Sequence, residues 1–182
     1  MCIRDSISID NVNLSEGDAG ITDFVFTVSV NGGGTANGDI GFTVNTETTN
    51  TTATPGDDYV AIVGGSGSIL SGEKNTSITV QVNGDTAIEP NENFRVRLSA
   101  ITNATATDNL GIGTITNDDV AGINVNTTTG ITTEAGGTAD FVFTLTSEPT
   151  ANVTIPINGY DATETSGPAS PSAKTLLLIL IC

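Results

Sequence analysis

The sequence has no histidine and no tryptophan, and its two cysteines stand at the extreme ends of the 182 residues, at Cys2 and Cys182. Without histidine the chain lacks the usual general base, the Ser-His-Asp arrangement and most zinc and iron sites. The cysteines are too isolated to predict a metal cluster or a disulfide framework. These absences argue against an enzyme built on histidine chemistry and against a transition-metal site.

Basic residues are also scarce, because five Lys and Arg stand against 21 Asp and Glu and give a formal net charge of −16. Such a surface repels nucleic acid and anionic membranes and favours cations as partners. The competing interpretation is that the acidic residues only keep the surface soluble. Aromatic residues make up 4% of the chain, whereas glycine, threonine and asparagine abound, and this composition favours short strands and many turns.

Apolar residues alternate with polar ones in seven stretches between residues 7 and 119, which predicts seven strands. The predicted strands cover residues 7–14, 24–30, 40–44, 59–70, 78–82, 94–98 and 110–115. The fourth is interpreted as one strand bulged at Gly64 and Gly65, although a hairpin there is possible. The polar stretch 99–108 is predicted to be a loop. The number and spacing of strands favour an all-β, immunoglobulin-like antiparallel β-sandwich.

The pattern starts again after Asp119. The segment leading to Phe141-Val-Phe-Thr parallels the one leading to Phe24-Val-Phe-Thr, and Glu16 has a counterpart in Glu134. A tandem repeat is the simplest explanation. We therefore predict a complete sandwich over residues 7–119 and a truncated second unit over 120–182, in which 153–157 is a further strand.

Both termini differ in character from the rest. Residues 1–6 resemble the spurious leaders of translated environmental sequence fragments, and residues 176–181 are apolar over a stretch far shorter than the roughly 20 residues that span a bilayer. We expect residues 1–6 and 172–182 to be non-native, and the chain to be a piece of a longer protein.

The acidic residues cluster in particular loops. Since consecutive strands of such a sandwich run alternately up and down, the first, third and fifth connections and the exit from the last strand share one pole. The acidic residues in these segments include Glu16, Asp57, Asp58, Asp85, Glu89, Glu92, Asp118 and Asp119. A hairpin at residues 64–65 would reverse the later strands and separate Glu16 from Asp85.

Carboxylates crowded at one pole repel each other, by roughly 4 kcal/mol for two charges about 4 Å apart at an effective dielectric near 20. A hard cation with a preference for oxygen ligands, such as calcium, relieves this repulsion. The segment 85–94 is not an EF-hand, because Pro90 occupies the position where that motif needs glycine. The sequence therefore predicts a calcium site that collects its ligands from several loops.

Five segments, in this order, resemble the Calx-beta domain, a family found in sodium/calcium exchangers, integrin β4 and large bacterial surface or secreted proteins. These segments are Ser15-Glu-Gly-Asp18, Gly56-Asp-Asp-Tyr59, Ser71-Gly-Glu73, Asp85-Thr-Ala-Ile-Glu-Pro-Asn-Glu-Asn-Phe94 and Ile115-Thr-Asn-Asp-Asp119. The resemblance implies an immunoglobulin-like sandwich that binds several calcium ions at one end. It also implies these ligands: Glu16, Asp58, Asp85, Glu89, Glu92, Asp118, Asp119 and the backbone carbonyl of Ala87.

Two positions depart from the family pattern. Gly84 and Asn117 stand where the best calcium binders of the family carry aspartate, so fewer ions or weaker binding are expected. The function predicted is that of a calcium-binding, non-enzymatic repeat module that stiffens a tandem-domain adhesin or secreted protein against its neighbouring repeats, in the extracellular space. The alternatives are a calcium-independent spacer or adhesive stalk and, more remotely, an accessory domain of a secreted hydrolase that uses paired carboxylates.

Overall fold

The structure, a computed structural model, describes residues 5–128, 140–149 and 151–156. The chain divides into two units, Met1–Asp119 and Val120–Cys182. The two cysteines, Glu134 and the apolar tail lie outside the described residues. Within the described ranges, no helix is long and apolar enough to cross a membrane.

The described part of the first unit contains nine strands, and that of the second contains two. They are β1 (Asp5–Ile9), β2 (Val12–Ser15), β3 (Gly20–Val30), β4 (Ile40–Glu47), β5 (Gly65–Ile69), β6 (Asn75–Gly84), β7 (Glu92–Thr102), β8 (Ala104–Asp108), β9 (Leu110–Thr116), β10 (Ile123–Thr128) and β11 (Asp140–Leu145). A short 3₁₀ turn, Asn31–Gly33, follows β3.

The first unit is a sandwich of two sheets. One has the strand order β6-β3-β1-β8, and the other has the order β2-β9-β7-β4-β5. The inward residues of β3, β6 and β7 alternate with outward ones and are fully buried, as the period of two predicts. The all-β sandwich predicted from the sequence is thus confirmed. Its strands pair antiparallel, with two exceptions, β1 with β8 and β2 with β9, which run parallel.

Residues 7–14 form two strands instead of the single one predicted. Strand β1 pairs with β3 and β8 in one sheet, whereas β2 pairs with β9 in the other. Two side chains satisfy backbone groups where the chain crosses between the sheets. Asp10 accepts a hydrogen bond from the Thr27 N–H at 2.6 Å, and Asn11 accepts one from the Ile112 N–H at 2.7 Å. These polar residues therefore end β1 and let the chain change sheets.

The predicted strand 59–70 is wrong over its first half. The chain there first bonds to β6, through Val60 N–H to the Gln81 carbonyl at 2.8 Å, and then to β4, through Thr46 N–H to the Ile62 carbonyl at 2.9 Å. Gly64 then adopts a positive φ of 64°, which glycine tolerates, and β5 begins at the next residue. Since the chain continues past Gly64 without reversing into a hairpin, the later strands keep their predicted directions.

The predicted loop 99–108 is also wrong, because strand β7 continues to Thr102 and residues 104–108 form β8. Asn103 turns the chain between them with a positive φ of 63°. The segment has few apolar residues, and only Ala104 in β8 is buried. Its strand character comes from backbone pairing with β1, which a hydrophobic pattern does not reveal.

Phe94 lies at the centre of an aromatic cluster in the core. Its ring stacks on Tyr59 with centroids 4.8 Å apart and makes tilted or edge contacts with Phe24 and Phe26 at 5.7 and 5.9 Å. A Cβ at residue 113 would lie 2.3 Å from the Phe94 ring, so this position requires glycine. Tyr59 directly follows Asp58, and Phe94 lies two residues after Glu92, so the cluster anchors the backbone beneath two candidate ligands.

In the second unit, β10 and β11 form an antiparallel pair from Ile123 opposite Leu145 to Thr128 opposite Asp140. Thr146 fastens the start of this unit, because its hydroxyl donates to the Val120 carbonyl at 2.7 Å. The predicted strand 153–157 does not form over its described part, residues 153–156. Pro156 has no N–H to contribute to a strand there.

Candidate metal centre

Strand ends bring the acidic loops to one pole of the sandwich. Gly20 at the start of β3 pairs with Gly84 at the end of β6, and Glu92 at the start of β7 pairs with Ile115 near the end of β9. The loop after β2, the loop after β6 and the exit from β9 therefore meet. Six of the eight acidic residues that alternating strand direction was expected to gather form two groups of carboxylates.

The first group, here called the exit group, consists of Glu16, Asp118 and Asp119. Each offers a carboxylate oxygen, and these oxygens lie within 4.8 Å of one another. Backbone contacts hold the loop against the exit from β9, because the Glu16 N–H donates to the Thr116 carbonyl at 3.4 Å and the Gly17 N–H donates to Asp118 Oδ1 at 3.2 Å. The group therefore joins residues about a hundred positions apart in the sequence.

Glu16 is buried, with 5% of its surface exposed. Its pKa is raised from 4.5 to about 7, first by burial and then by the negative charges of Asp85, Glu89, Asp119 and Asp118. No basic side chain contributes to this shift. Glu16 is thus a carboxylate that needs either a proton or a cation near neutral pH.

Asp119 is buried as well, with 8% of its surface exposed, and its Oδ2 atom has no hydrogen-bond partner among the described residues. Burial raises the pKa of Asp119, and the charges of Asp18, Asp118 and Asp85 raise it further. A buried carboxylate oxygen without a partner is costly, and native proteins usually pair such an atom with a hydrogen-bond donor, a water molecule or an ion. This atom marks the exit group as a place where a cation fits.

The second group, here called the loop group, consists of Asp58, Glu89 and Glu92, whose oxygens also lie within 4.8 Å of one another. The Thr54 N–H donates to Asp58 Oδ2 at 2.5 Å and holds that side chain in place. The pKa of Glu92 is raised to about 7 by burial, then by a hydrogen bond to Asp58 and by the charges of Asp58 and Glu89. Burial and the charges of Asp58 and Asp85 raise the pKa of Glu89.

Asp85 belongs to neither group but acts on both, since its charge raises the pKa of Glu16 in one and of Glu89 in the other. Its Oδ1 accepts the Ala87 N–H at 2.6 Å, which closes a tight turn in the loop after β6. A ligand role for the Ala87 carbonyl stays a prediction. Asp57 is exposed and its carboxylate lies in neither group, although its backbone carbonyl accepts a hydrogen bond from Asn83 Nδ2 at 2.7 Å.

Gly84 and Asn117, the two residues that depart from the family pattern, have structural roles. A Cβ at Gly84 would lie 2.3 Å from the Gly17 carbonyl oxygen and 2.9 Å from that of Glu16, so only glycine lets the Glu16 loop approach β6 this closely. Asn117 accepts the Glu89 N–H on Oδ1 at 3.3 Å and donates from Nδ2 to the Asp119 carbonyl at 3.2 Å. In the sequence, the only signal for the bridging role of Asn117 is that asparagines cluster beside the acidic residues.

The two groups suit calcium in size and chemistry. Calcium binds oxygen ligands at about 2.3–2.6 Å, so two ligands on one ion are separated by at most about 4.6–5.2 Å. The separations within each group fall within that limit. Both groups use only carboxylates, on loops and at the start of β7, and carboxylate oxygens suit a hard cation with many ligands better than a soft one.

Comparison with known proteins gives a consistent picture. The family model of the Calx-beta domain matches residues 5–119. No curated protein sequence matches the chain. Among solved structures, the apo-form Calx CBD1 domain is similar, with a TM-score of 0.53 at 19% identity, covering 63% of this chain and 98% of that one.

Two longer structures are similar over part of their length. CBD12 from CALX1.2 gives a TM-score of 0.53 at 19% identity over 63% of this chain and 46% of that one. The calcium binding domain CBD12 of CALX1.1 gives 0.50 at 20% identity over 61% and 44%. This chain therefore spans less than half the length of those two relatives. At these identities the structural likeness shows the fold, and the match over residues 5–119 shows the family: the chain belongs to the Calx-beta domain family.

Proposed function

We propose that residues 5–119 bind calcium at the acidic pole. The observation that carries the proposal is the pair of carboxylate groups, and within it the buried Asp119 Oδ2 that has no hydrogen-bond partner among the described residues. The calcium binding domain CBD12 of CALX1.1, which shares this fold, adds support. Glu16, Asp118 and Asp119 would hold one ion, and Asp58, Glu89 and Glu92 would hold another, with Asp85 between the two groups.

Calcium would supply the positive charge that the pole lacks. The ion pair between Arg97 and Glu47 lies on the outer face of the sandwich and contributes to none of the raised pKa values of the two groups. In the metal-free protein the buried carboxylates must protonate or repel each other. With calcium bound, the attraction of each carboxylate to the ion outweighs the repulsion between the carboxylates and orders the loops around the ion.

Thermal denaturation of the full chain at rising calcium concentrations tests the proposal. Binding to the folded state stabilises it by about 2.7 kcal/mol at a hundredfold excess over Kd, which raises Tm by roughly 10 °C for a domain of this size. Magnesium at the same concentration should have a much smaller effect, because it demands a tighter octahedral set of ligands. No change in Tm at millimolar calcium would refute calcium binding.

A double variant, Asp85→Asn with Glu89→Gln, should sharply reduce the calcium-dependent rise in Tm, because Glu89 belongs to the loop group and Asp85 adds negative charge near both groups. The matched control is Asp23→Asn with Glu73→Gln, which removes the same two charges from exposed positions outside both groups. This control should keep the rise. If the double variant and the control respond equally to calcium, the pole is only a solubilising acidic surface.

We further propose that calcium stiffens the chain where one unit ends and the next begins, in an extracellular protein made of tandem repeats. The supporting observation is position, since Asp118 and Asp119 of the exit group are the last residues of the first unit and Val120 opens the second. Limited proteolysis measures this stiffening. Cleavage between residues 119 and 123 should slow in millimolar calcium, and an unchanged cleavage rate with calcium bound would refute it.

The alternative is a spacer or stalk that does not depend on calcium. It predicts no shift in Tm and no change in proteolysis with calcium, so the same two experiments separate it from the proposal. A non-enzymatic role fits both hypotheses, because calcium binding and a spacer role each need only the sandwich and the acidic residues at its end.

A further inference from the structure

Asn117 contacts both halves of the acidic pole through one side-chain amide. Its Oδ1 accepts the backbone N–H of Glu89, a member of the loop group, at 3.3 Å. Its Nδ2 donates to the backbone carbonyl of Asp119, a member of the exit group, at 3.2 Å. The bridge is completed by its own backbone, because the Asn117 N–H donates to Asn91 Oδ1 at 3.1 Å.

The chemistry of the amide explains why this position carries asparagine. A bridge between an N–H and a carbonyl needs one acceptor and one donor in the same side chain, which asparagine has. An ionised aspartate offers only acceptors, so it would lose the bond to the Asp119 carbonyl and would add a negative charge to the exit group. Asn117 therefore connects the two loops at the expense of a further carboxylate.

We propose that Asn117 is a positioning residue that couples the two carboxylate groups, so that calcium bound at one group favours calcium binding at the other. This inference rests on the proposed calcium function and extends it. An ion in the exit group fixes the backbone at Asp119, and the Asn117 side-chain amide passes that restraint to the backbone at Glu89. The loop group then loses less conformational entropy when it binds its own ion. Couplings of this kind commonly change affinity about 5- to 150-fold.

Two backbone amides report the groups separately in the full chain. The Gly17 N–H donates to Asp118 in the exit group, and the Thr54 N–H donates to Asp58 in the loop group. Calcium titration followed by amide NMR should give the same midpoint for both in the native chain. In Asn117→Ala each group should respond at its own affinity, and because two members of the exit group are buried and none of the loop group is, the two midpoints should separate by about fivefold or more.

The matched control is Asn13→Ala. Asn13 Oδ1 accepts the Thr116 hydroxyl at 2.9 Å, so this variant removes a hydrogen bond at the neighbouring residue without touching either group. Its two midpoints should stay together. If they separate as far as in Asn117→Ala, general loosening of this end of β9 accounts for the effect and the inference is overturned. Asn117→Ser, whose shorter side chain cannot span the two loops, repeats the test if the alanine variant is not folded.

A measurement without metal separates the failure of this inference from failure of the calcium proposal. In the metal-free protein, the Glu89 amide should exchange with solvent at least fivefold faster in Asn117→Ala than in the native chain, because its acceptor is gone. Midpoints that remain together in Asn117→Ala overturn the coupling alone. Native Gly17 and Thr54 amides that do not respond to calcium overturn both the coupling and the calcium proposal.

Discussion

Replacing Glu16 by glutamine should stabilise the metal-free protein at pH 8 and remove a large part of the fall in its stability between pH 5 and 8, while Glu92, whose pKa is also raised to about 7, keeps the rest. The pKa of Glu16 is raised from 4.5 to about 7. Since the folded pKa lies above the unfolded one, protonation favours the folded state. That contribution to stability is fully present below about pH 4.5 and is lost as the pH rises through about 7.

The magnitude follows from the same two values. The difference of about 2.5 pH units corresponds to about 3.4 kcal/mol at 1.36 kcal/mol per unit. Part of this is screened, because the charges of Asp85, Glu89 and Asp118 come from exposed side chains. We therefore expect the Glu16 contribution to metal-free stability to fall by about 1–2 kcal/mol between pH 5 and 8, which is roughly 4–8 °C in Tm.

Urea denaturation or calorimetry at pH 5, 6, 7 and 8, in a calcium chelator, measures this fall. Glu16→Gln should flatten the profile, since its neutral amide costs nothing more at high pH. Glu73→Gln, a matched change at an exposed glutamate outside both groups, should leave the profile as steep as in the native chain. An equal flattening by both variants would show that the total acidic charge, and not the burial of Glu16, governs the pH dependence.

Three further results are expected. Calcium binding near pH 7 should release protons from Glu16 and Glu92, because their pKa values are both about 7. The calorimetric heat of binding should therefore vary with the ionisation enthalpy of the buffer, and calcium affinity should fall about tenfold or more from pH 8 to pH 6. A heat of binding that is independent of the buffer would contradict this. Gly84→Ala should lower stability by about 1–3 kcal/mol in urea denaturation and weaken calcium binding, because its Cβ would lie 2.3 Å from a backbone carbonyl oxygen of the Glu16 loop. The control Gly34→Ala, which has open space around its Cβ, should do neither. Similar losses of stability in the two variants would contradict the packing argument. Arg97→Ala should lower stability by under about 1 kcal/mol and leave the calcium midpoint unchanged, because its ion pair with Glu47 is partly exposed and separate from both carboxylate groups. A shifted midpoint would show that this ion pair acts on the acidic pole.

The sequence predicted the sandwich because its core strands alternate cleanly, as in Phe24, Phe26 and Val28, and burial of one face enforces that period. It missed the split of the first strand and the strand Ala104–Asp108. Both depend on backbone pairing between distant segments, which leaves little trace in side-chain polarity.

For the candidate site, the alternating direction of the strands was enough to predict that the acidic loops lie at one pole. This alternation depends on the number of strands and not on the residues at which each strand ends. The division into two groups did not follow from it, and neither did the distance of Asp57 from both groups. These depend on which way each side chain points, which the hydrogen bonds of Asp58 and Asp118 decide. The need for glycine at position 84 depends on the approach of a loop more than sixty residues away in sequence.

The parallel pairing of β2 with β9, from Val12 opposite Gly113 to Ser15 opposite Thr116, has a mechanical consequence. A pull on the two ends of the first unit draws β2 toward its amino end and β9 toward its carboxyl end, so the two strands slide lengthwise past each other. The hydrogen bonds between them are then loaded in shear and must break together, whereas an antiparallel pair pulled in this way would open one bond at a time. We therefore expect the first unit to resist a pull along the chain direction more strongly than a sandwich whose terminal strands pair antiparallel.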